Sequence, residues 1–312
     1  MRFSVIIPLY NKAPYIEKAL RSVLAQTFAD YELIVVDDGS TDASAGAVQR
    51  TLEGSDIRWR LISKENGGVS SARNAGIDAA DGEYACLLDA DDWWEPAFLE
   101  RMDILISNYP DAGLYCSNYY YVHNGKNTVK LDIPTGYFDY CKEYARTLCM
   151  VATSSCCSAT QVLKEMGGFK TFLKLGEDFD LWIRIALKYG TAIIDEPLVY
   201  FNNDLPVAHR ATHHLVPPAH HMLWHLDYLS EEERTNPDYK QLIDNLRTYS
   251  LLPYYLSSEY RDAAKQELAK VDWSRQPEKC RKLYRKPVWY LKCRRSFRRC
   301  GASVKRWIIR HK

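Results

Sequence analysis

Four short apolar runs alternate with three amphipathic segments inside the first 88 residues, and this alternation constrains the fold more than any other feature. Phe3–Pro8 is a β-branched run that reads as a buried strand. Pro14 opens a helix to about Gln26, with Ile16, Leu20, Val23 and Leu24 on one face. Tyr31–Val36 is a second strand, Ala43–Leu52 a second helix and Ile57–Ile62 a third strand. Asn66-Gly67-Gly68 turns into a helix from Val69 to about Ala80, and Asp81-Gly82 leads to the strand Tyr84–Leu88. Such β-α repetition predicts an α/β fold, a parallel sheet with right-handed crossovers. Strand polarity then gathers Tyr10, Asp37-Asp38, the Asn66 loop and Asp89–Asp92 at one sheet edge, where open α/β sheets bind ligands.

The fourth strand ends in Asp89-Ala90-Asp91-Asp92, three carboxylates in four positions. Crowded, partly buried carboxylates repel one another unless a cation sits between them. Mg²⁺ or Mn²⁺ suits oxygen donors, and Mg²⁺ often rests on one or two carboxylates plus substrate phosphates. An acidic loop that caps a following helix, with Asp92 as N-cap and Pro96 in the first turn, reads equally from these residues alone.

At the same edge, Tyr10 is placed to cover a flat base. Asp38 is placed to accept hydrogen bonds from a base N–H or a ribose hydroxyl. Arg73, in the helix opened by Gly67-Gly68, suits a phosphate. Each also has a plain structural reading: a half-buried loop aromatic for Tyr10, helix caps for Asp37 and Asp42, a solvated helix charge for Arg73. No G-x-G-x-x-G follows the first strand and no G-x-x-x-x-G-K-[ST] occurs, which disfavours dinucleotide dehydrogenases and P-loop enzymes.

Ser4–Asn11, Glu32–Asp42, Asn66-Gly67-Gly68 through Ala72-Arg73-Asn74-Ala75-Gly76, and Gly82-Glu83-Tyr84 through Asp92 together resemble the family 2 glycosyltransferases of the GT-A fold. Gly167-Gly168-Phe169 and Gly176-Glu177-Asp178-Phe179-Asp180-Leu181-Trp182-Ile183-Arg184 resemble that family's acceptor-side segment, so the likeness covers roughly residues 3–205. It implies a Rossmann-like, mostly parallel sheet flanked by helices, and inverting transfer of a sugar from a nucleoside-diphosphate sugar, a UDP-sugar being the expected donor. Carried over by position, Pro8, Tyr10, Asp38, Asn66, Arg73 and Asp89 bind the nucleotide-sugar. Asp91, with Asp89, holds Mg²⁺ or Mn²⁺. In the Glu177-Asp178 pair, Asp178 is the general base that deprotonates the acceptor hydroxyl.

The chain departs from the family after the strand at Pro197–Phe201. Many relatives carry an R-x-H segment there; this chain reads Asn202-Asn203-Asp204-Leu205-Pro206-Val207-Ala208-His209-Arg210, which leaves His209 as a candidate metal ligand. His213, His214, His220, His221 and His225 make a histidine-rich stretch without H-E-x-x-H. Tyr115, Tyr119, Tyr120, Tyr121 and Tyr137 suit either sugar stacking or a core. The expected domains are a catalytic part at 1–205, a helical appendage at 206–274 with caps at Ser230 and Asp238, and a basic amphipathic tail at 275–312.

That tail carries fifteen Lys/Arg against one acid, Glu278, so the other residues hold a net charge of −13. Trp289, Cys293, Phe297, Cys300, Val304 and Trp307 recur at helical spacing among the arginines. Residues 285–312 therefore suit an anionic membrane surface, or equally the acidic body of the chain itself. Nine scattered cysteines without C-x-x-C, and Met1–Ser4 running straight into a strand, set the expectation of a reduced, cytosolic chain at the inner face of the cell membrane. The acceptor expected there is a glycan or lipid-linked hydroxyl. The competing readings are a sugar-1-phosphate nucleotidyltransferase, for which the Gly-rich N-terminal loop is missing, a nucleic-acid-binding protein working through the basic tail, which nothing in residues 1–205 asks for, and a nucleotide-binding relative without turnover, against which the intact carboxylates argue.

Overall fold

All seven residues of the first strand, β1 (Phe3–Leu9), are buried, as a strand with parallel neighbours and both faces covered requires. In the computed structural model, which describes residues 1–147, 151–205 and 215–293, β1 lies between two parallel partners. These are β2 (Tyr31–Asp37) and β4 (Tyr84–Leu87), and β3 (Arg58–Ser63) extends the sheet beyond β2. Helices α1 (Ile16–Leu24), α2 (Ser44–Leu52) and α3 (Val69–Ala79) make the crossovers. The elements are those the periodicity predicts, with ends displaced by a residue or two.

The strand order β3-β2-β1-β4 reverses direction at β1. A crevice therefore opens outside the carboxyl ends of β1 and β4. Pro8 marks it. The Leu9 carbonyl accepts from Asp38 on the β2 side, and the Ile6 carbonyl accepts from Leu88 on the β4 side. Alternate residues face alternate neighbours, so Pro8 faces β4, whose pairing with β1 has already ended at Ile6–Leu87. A residue without an N–H costs no ladder bond at that point.

Beyond β4 the sheet becomes mixed. β9 (Cys156–Ala159) lies antiparallel between β4 and β6 (Leu114–His123). β6 runs parallel to β10 (Thr191–Asn202), and β5 (Trp93–Trp94) pairs antiparallel with β10. The long ladders are the parallel ones; two short strands, β7 (Lys126–Val129) and β8 (Gly136–Phe138), add to β6 and β10. Of the tyrosines on this part, Tyr115 and Tyr119 are buried, while Tyr120 stacks on Tyr200 and Tyr121 on Phe201.

Helix α4 (Phe98–Asn108) begins well after Asp92, with β5 between them. Asp92 is therefore not a helix cap. Helices α5 (Tyr140–Thr147) and α6 (Thr160–Glu165) precede α7 (Glu177–Tyr189), which starts on Gly176 at φ +81°, a left-handed conformation that glycine adopts without strain. A Cβ on Gly176 would come within 3.0 Å of Met222 Cβ. Residues 215–222 thus pack back on the first compact unit, Met1–Met222, which continues past residue 205.

The second unit begins at Leu223 and is helical: α8 (Ser230–Thr235), α9 (Pro237–Ser250), α10 (Leu252–Leu256), α11 (Arg261–Ala269) and α12 (Glu278–Tyr284). Its caps differ from expectation. Ser230 is the first residue of α8, and α9 is capped by Asn236, whose side chain accepts from the amides of Asp238 and Tyr239 ahead of Pro237. Buried Arg247 pairs with Glu233, Asp244 and Glu267. Residues 288–293 are helical and present Trp289, 69% exposed, and Tyr290. The rest of the basic tail, 294–312, lies outside the described residues, as does the 206–214 stretch with His209, His213 and His214. Among the described residues no helix is long and apolar enough to cross a membrane.

Gly76 sets how closely α3 approaches the sheet: a Cβ there would lie 2.3 Å from Ile6 Cγ2 on β1. Gly76→Ala therefore forces helix and strand apart. It should cost about 1–3 kcal/mol despite alanine's better helix propensity, read as a lower urea midpoint at unchanged slope.

Candidate active site

Two loops at the crevice are locked together before any ligand arrives. Asn11, at φ +50°, accepts from the Thr41 amide at 2.8 Å and donates its own amide to Ser40 Oγ at 3.1 Å. The Lys12 amide donates to Ser44 Oγ at 2.9 Å. Tyr10, just before Asn11 at the end of β1, is 47% exposed. Asp38, by contrast, is buried, and its carboxylate accepts from Lys64 Nζ (2.6 Å) and from the amides of Gly67 (3.0 Å) and Gly68 (2.7 Å). Asn66 Nδ2 donates to the Asp38 carbonyl at 2.9 Å. Asp38 is expected to face a base directly; the partners of its carboxylate are all in the Lys64–Gly68 loop, which closes over the end of β2.

The acidic loop is equally organised. Asp92 is 2% exposed and accepts from Ser154 Oγ at 2.5 Å and from the Asn202 amide at 2.8 Å. Burial raises its carboxyl well above the usual range, and the charges of Asp91 and Asp89 push the same way. The Asp89 amide donates to Ser154 Oγ at 3.1 Å. Asp91 Oδ2 meets Lys12 Nζ at 2.5 Å. Burial raises the Asp91 carboxyl, the Lys12 ammonium pulls it back, and the Asp89 charge adds to burial. This is a place that favours a cation. Among the described residues no three His, Cys, Asp or Glu side chains form a complete metal-ligand set. The donors present are hard oxygens, which fit a divalent ion held by one or two carboxylates with substrate oxygens supplying the rest.

Arg73 corrects its expectation. It is neither a solvated charge nor a guanidinium open to a phosphate: it is 4% exposed, and donates to Asp89 Oδ1 at 2.8 Å and to Glu177 Oε1 at 3.2 Å. Its neighbour Asn74 exchanges two bonds with the backbone of Phe169, both 2.8 Å. A Cβ on Gly168 would sit 2.5 Å from Asn74 Oδ1, so only glycine permits that approach. Arg184 donates to the carbonyls of Met166 and Gly168, and Asp180 accepts from both Lys170 and Arg184. The Ala-Arg-Asn helix, the Gly-Gly-Phe loop and the start of α7 are thus one latched assembly. Asp178, at that start, accepts from Thr153 Oγ1 at 3.0 Å and from the Phe179 amide at 2.7 Å.

The structure therefore joins Asp89, Arg73 and Glu177 in one chain of ion pairs, and places Asp91 on Lys12 and Asp178 on Thr153. Lys12, Thr153 and Ser154 escape the sequence reading. Lys12 directly follows the Tyr10-Asn11 pair and was within reach of it. The hydroxyls of Thr153 and Ser154 sit in a run of small residues that carries no periodic signal.

Glu177 carries a measurable consequence. Burial and the Asp178 charge raise its carboxyl from 4.5 to about 7, against the opposing pull of Arg73. The folded chain holds this proton more tightly than the unfolded one. The associated stability is complete below about pH 4.5 and is lost as pH climbs through about 7. Glu177→Gln removes the dependence. Relative to the parent, its unfolding free energy should rise by about 2–3 kcal/mol between pH 5 and pH 8, measured by denaturant titration without metal or nucleotide.

The model of the family described as glycosyl transferase family 2 matches residues 4–166. Glycosyltransferase GlyA of Streptococcus pneumoniae is 40% identical over 119 residues, 38% of this chain and 17% of that protein. The putative glycosyltransferase EpsH of Bacillus subtilis is 36% identical over 149 residues, 45% of this chain and 40% of that one. The chain thus matches well under half the length of these curated relatives. Among solved structures, S. aureus TarS 1–349 in complex with UDP superposes with a TM-score of 0.70 at 20% identity, over 86% of this chain and 80% of that one. Mannosyltransferase PcManGT from Pyrobaculum calidifontis, in complex with GDP-Man and Mn²⁺, gives 0.59 at 20% identity, over 91% and 78%. The fold is GT-A, and with its family model matching more than half of its length this chain belongs to glycosyl transferase family 2.

Proposed function

We propose that this chain transfers a sugar from a nucleoside-diphosphate sugar to an acceptor hydroxyl, in one displacement that inverts the anomeric carbon. The observation that carries the reading is the meeting, at one crevice, of the cation-seeking Asp89–Asp91 pair with the Glu177–Asp178 pair across buried Arg73. Family membership and neighbours solved with UDP or with GDP-Man and Mn²⁺ support it.

In this reading Pro8, Tyr10, Asp38 and the Asn66 loop wall the nucleoside. The lock between Asp38 and the Gly67 and Gly68 amides makes that wall rigid in advance. Asp91 and Asp89 hold Mg²⁺ or Mn²⁺, which when bound supplies Lewis-acid stabilisation of the leaving diphosphate. Asp178 takes the acceptor proton as the new C–O bond forms and the bond to the diphosphate breaks. The Thr153 hydroxyl and the Phe179 amide hold its carboxylate in place. Glu177, tied to Arg73, keeps the base next to the donor side. The donor tested first is a UDP-sugar.

The test is calorimetric titration with UDP, GDP, CMP and dTDP, each with and without Mn²⁺, for the parent and Asp91→Ala. Tight binding of one nucleotide should need both the ion and Asp91; indifference to both would overturn the reading. Asp178→Asn should keep nucleotide affinity and lower kcat by about 10²–10⁴, the usual worth of a general base.

The acceptor in this reading is a glycan or lipid-linked hydroxyl, and residues 285–312 rest on the anionic inner face of the membrane. Exposed Trp289 and Tyr290 beside exposed Arg285, Lys286 and Lys292 support that placement. The full chain should sediment with anionic vesicles and not with zwitterionic ones, and Trp289→Ala with Arg285→Ala and Lys286→Ala should weaken it. Equal sedimentation with both vesicle types would count against the placement.

A further inference from the structure

Lys12 carries an inference that rests on the reading just given but is not part of it. Its ammonium lies 2.5 Å from Asp91 Oδ2, and both side chains are largely buried, 21% and 15% exposed. The backbone around it is held firmly. The Lys12 amide donates to Ser44 Oγ, the Ala13 amide to Asp42 Oδ2, and Asn11 is tied to Ser40 and Thr41. Freedom to move therefore resides in the four-carbon side chain, which passes the ring of Tyr15 with the ammonium 5.8 Å from its centroid. Within the acidic loop Arg73 pairs with Asp89, and Asp92 is bonded to Ser154 and Asn202. Lys12 is thus the counter-cation of Asp91.

An ammonium and a divalent ion on one partly buried carboxylate repel each other, so an ion at Asp91 weakens the hold of Lys12 on it. We propose that Lys12 guards Asp91: a divalent ion that takes this carboxylate displaces the ammonium, and the displaced ammonium then pairs with the diphosphate of the donor. A compact ammonium with three N–H donors suits a phosphate as well as it suits a carboxylate. The diphosphate draws Lys12 from Asp91 and so raises the affinity for the ion. By linkage the ion raises the affinity for the diphosphate by the same factor. Metal and donor bind together, and the carboxylate is neutralised when neither is present.

The test follows free Mn²⁺ by its paramagnetic resonance while the full chain is titrated, alone and with saturating UDP or GDP. The parent should bind Mn²⁺ weakly alone and about 5- to 100-fold more tightly with the favoured diphosphate, the usual range of coupling between sites. Lys12→Met and Lys12→Gln should bind Mn²⁺ alone more tightly than the parent by about threefold or more. In both the enhancement by diphosphate should fall below the parent's, leaving the part that the diphosphate oxygens contribute as ligands of the ion. Lys12→Arg keeps the charge and should keep the parent pattern. Asp91→Ala should abolish the response in every background. If Lys12→Met and Lys12→Gln bind Mn²⁺ alone no more tightly than the parent, while Asp91→Ala still abolishes binding, Lys12 does not guard the site and this inference fails alone. If Mn²⁺ binding in the parent ignores Asp91, the metal reading fails and the inference falls with it.

Discussion

The guanidinium of Arg73 sits almost wholly out of water between Asp89 and Glu177. Charges taken from water are costly unless geometry and partners compensate, and breaking such a pair typically costs about 3–5 kcal/mol because the remaining charge is stranded. Here one buried cation serves two carboxylates from distant parts of the chain, one at the end of β4 and one at the start of α7. Folding cannot satisfy Arg73 without bringing both to it. The same constraint brings Asp91 and Asp178, close neighbours of these carboxylates in sequence, to the crevice.

Close packing makes that arrangement possible. Gly76 lets α3 lie against Ile6, which sets the depth at which Arg73 emerges. Gly168 lets the Phe169 loop reach Asn74, and Gly176 lets α7 begin beside Met222. Each is a place where a methyl group would collide with a neighbour. The site is therefore a product of three close approaches and two reciprocal hydrogen bonds, all outside the crevice itself. Thr153 and Ser154 extend the same logic. One hydroxyl fixes Asp178, the other Asp92 and the Asp89 amide, so a single turn spans the two halves of the site.

Much of this was legible in the residues. Apolar periodicity located β1 to β4 and the helices between them, since fully covered strands and one-sided helices leave strong patterns. Strand polarity then collected Tyr10, Asp38, Asn66 and Asp89–Asp92 at one edge. Roles that depend on a side chain's actual partner were not legible. Asp38 was read as facing a ligand, yet the loop after β3 covers it. Arg73 was read as open, yet two carboxylates enclose it. Of the two readings open for Asp92, the helix cap fails, because β5 intervenes and Ser154 and Asn202 take its oxygens. A sequence shows that a carboxylate or guanidinium is near an edge, but not which of several oppositely charged neighbours reaches it first.

The residue pattern by itself determined the class of fold, the polarity of the first four strands, the family and the acidic edge. The fold class, the polarity and the acidic edge follow from local periodicity and from connection rules that hold for any parallel β-α chain, and the family from the resemblance of the motifs. The tertiary structure alone decided that Lys12 meets Asp91, that Arg73 bridges Asp89 to Glu177, and that Thr153 orients Asp178. These contacts join residues separated by 79, 104 and 25 positions. They are selected by burial and charge compensation in the closed fold, where water no longer screens one partner from another, and no local pattern records that selection.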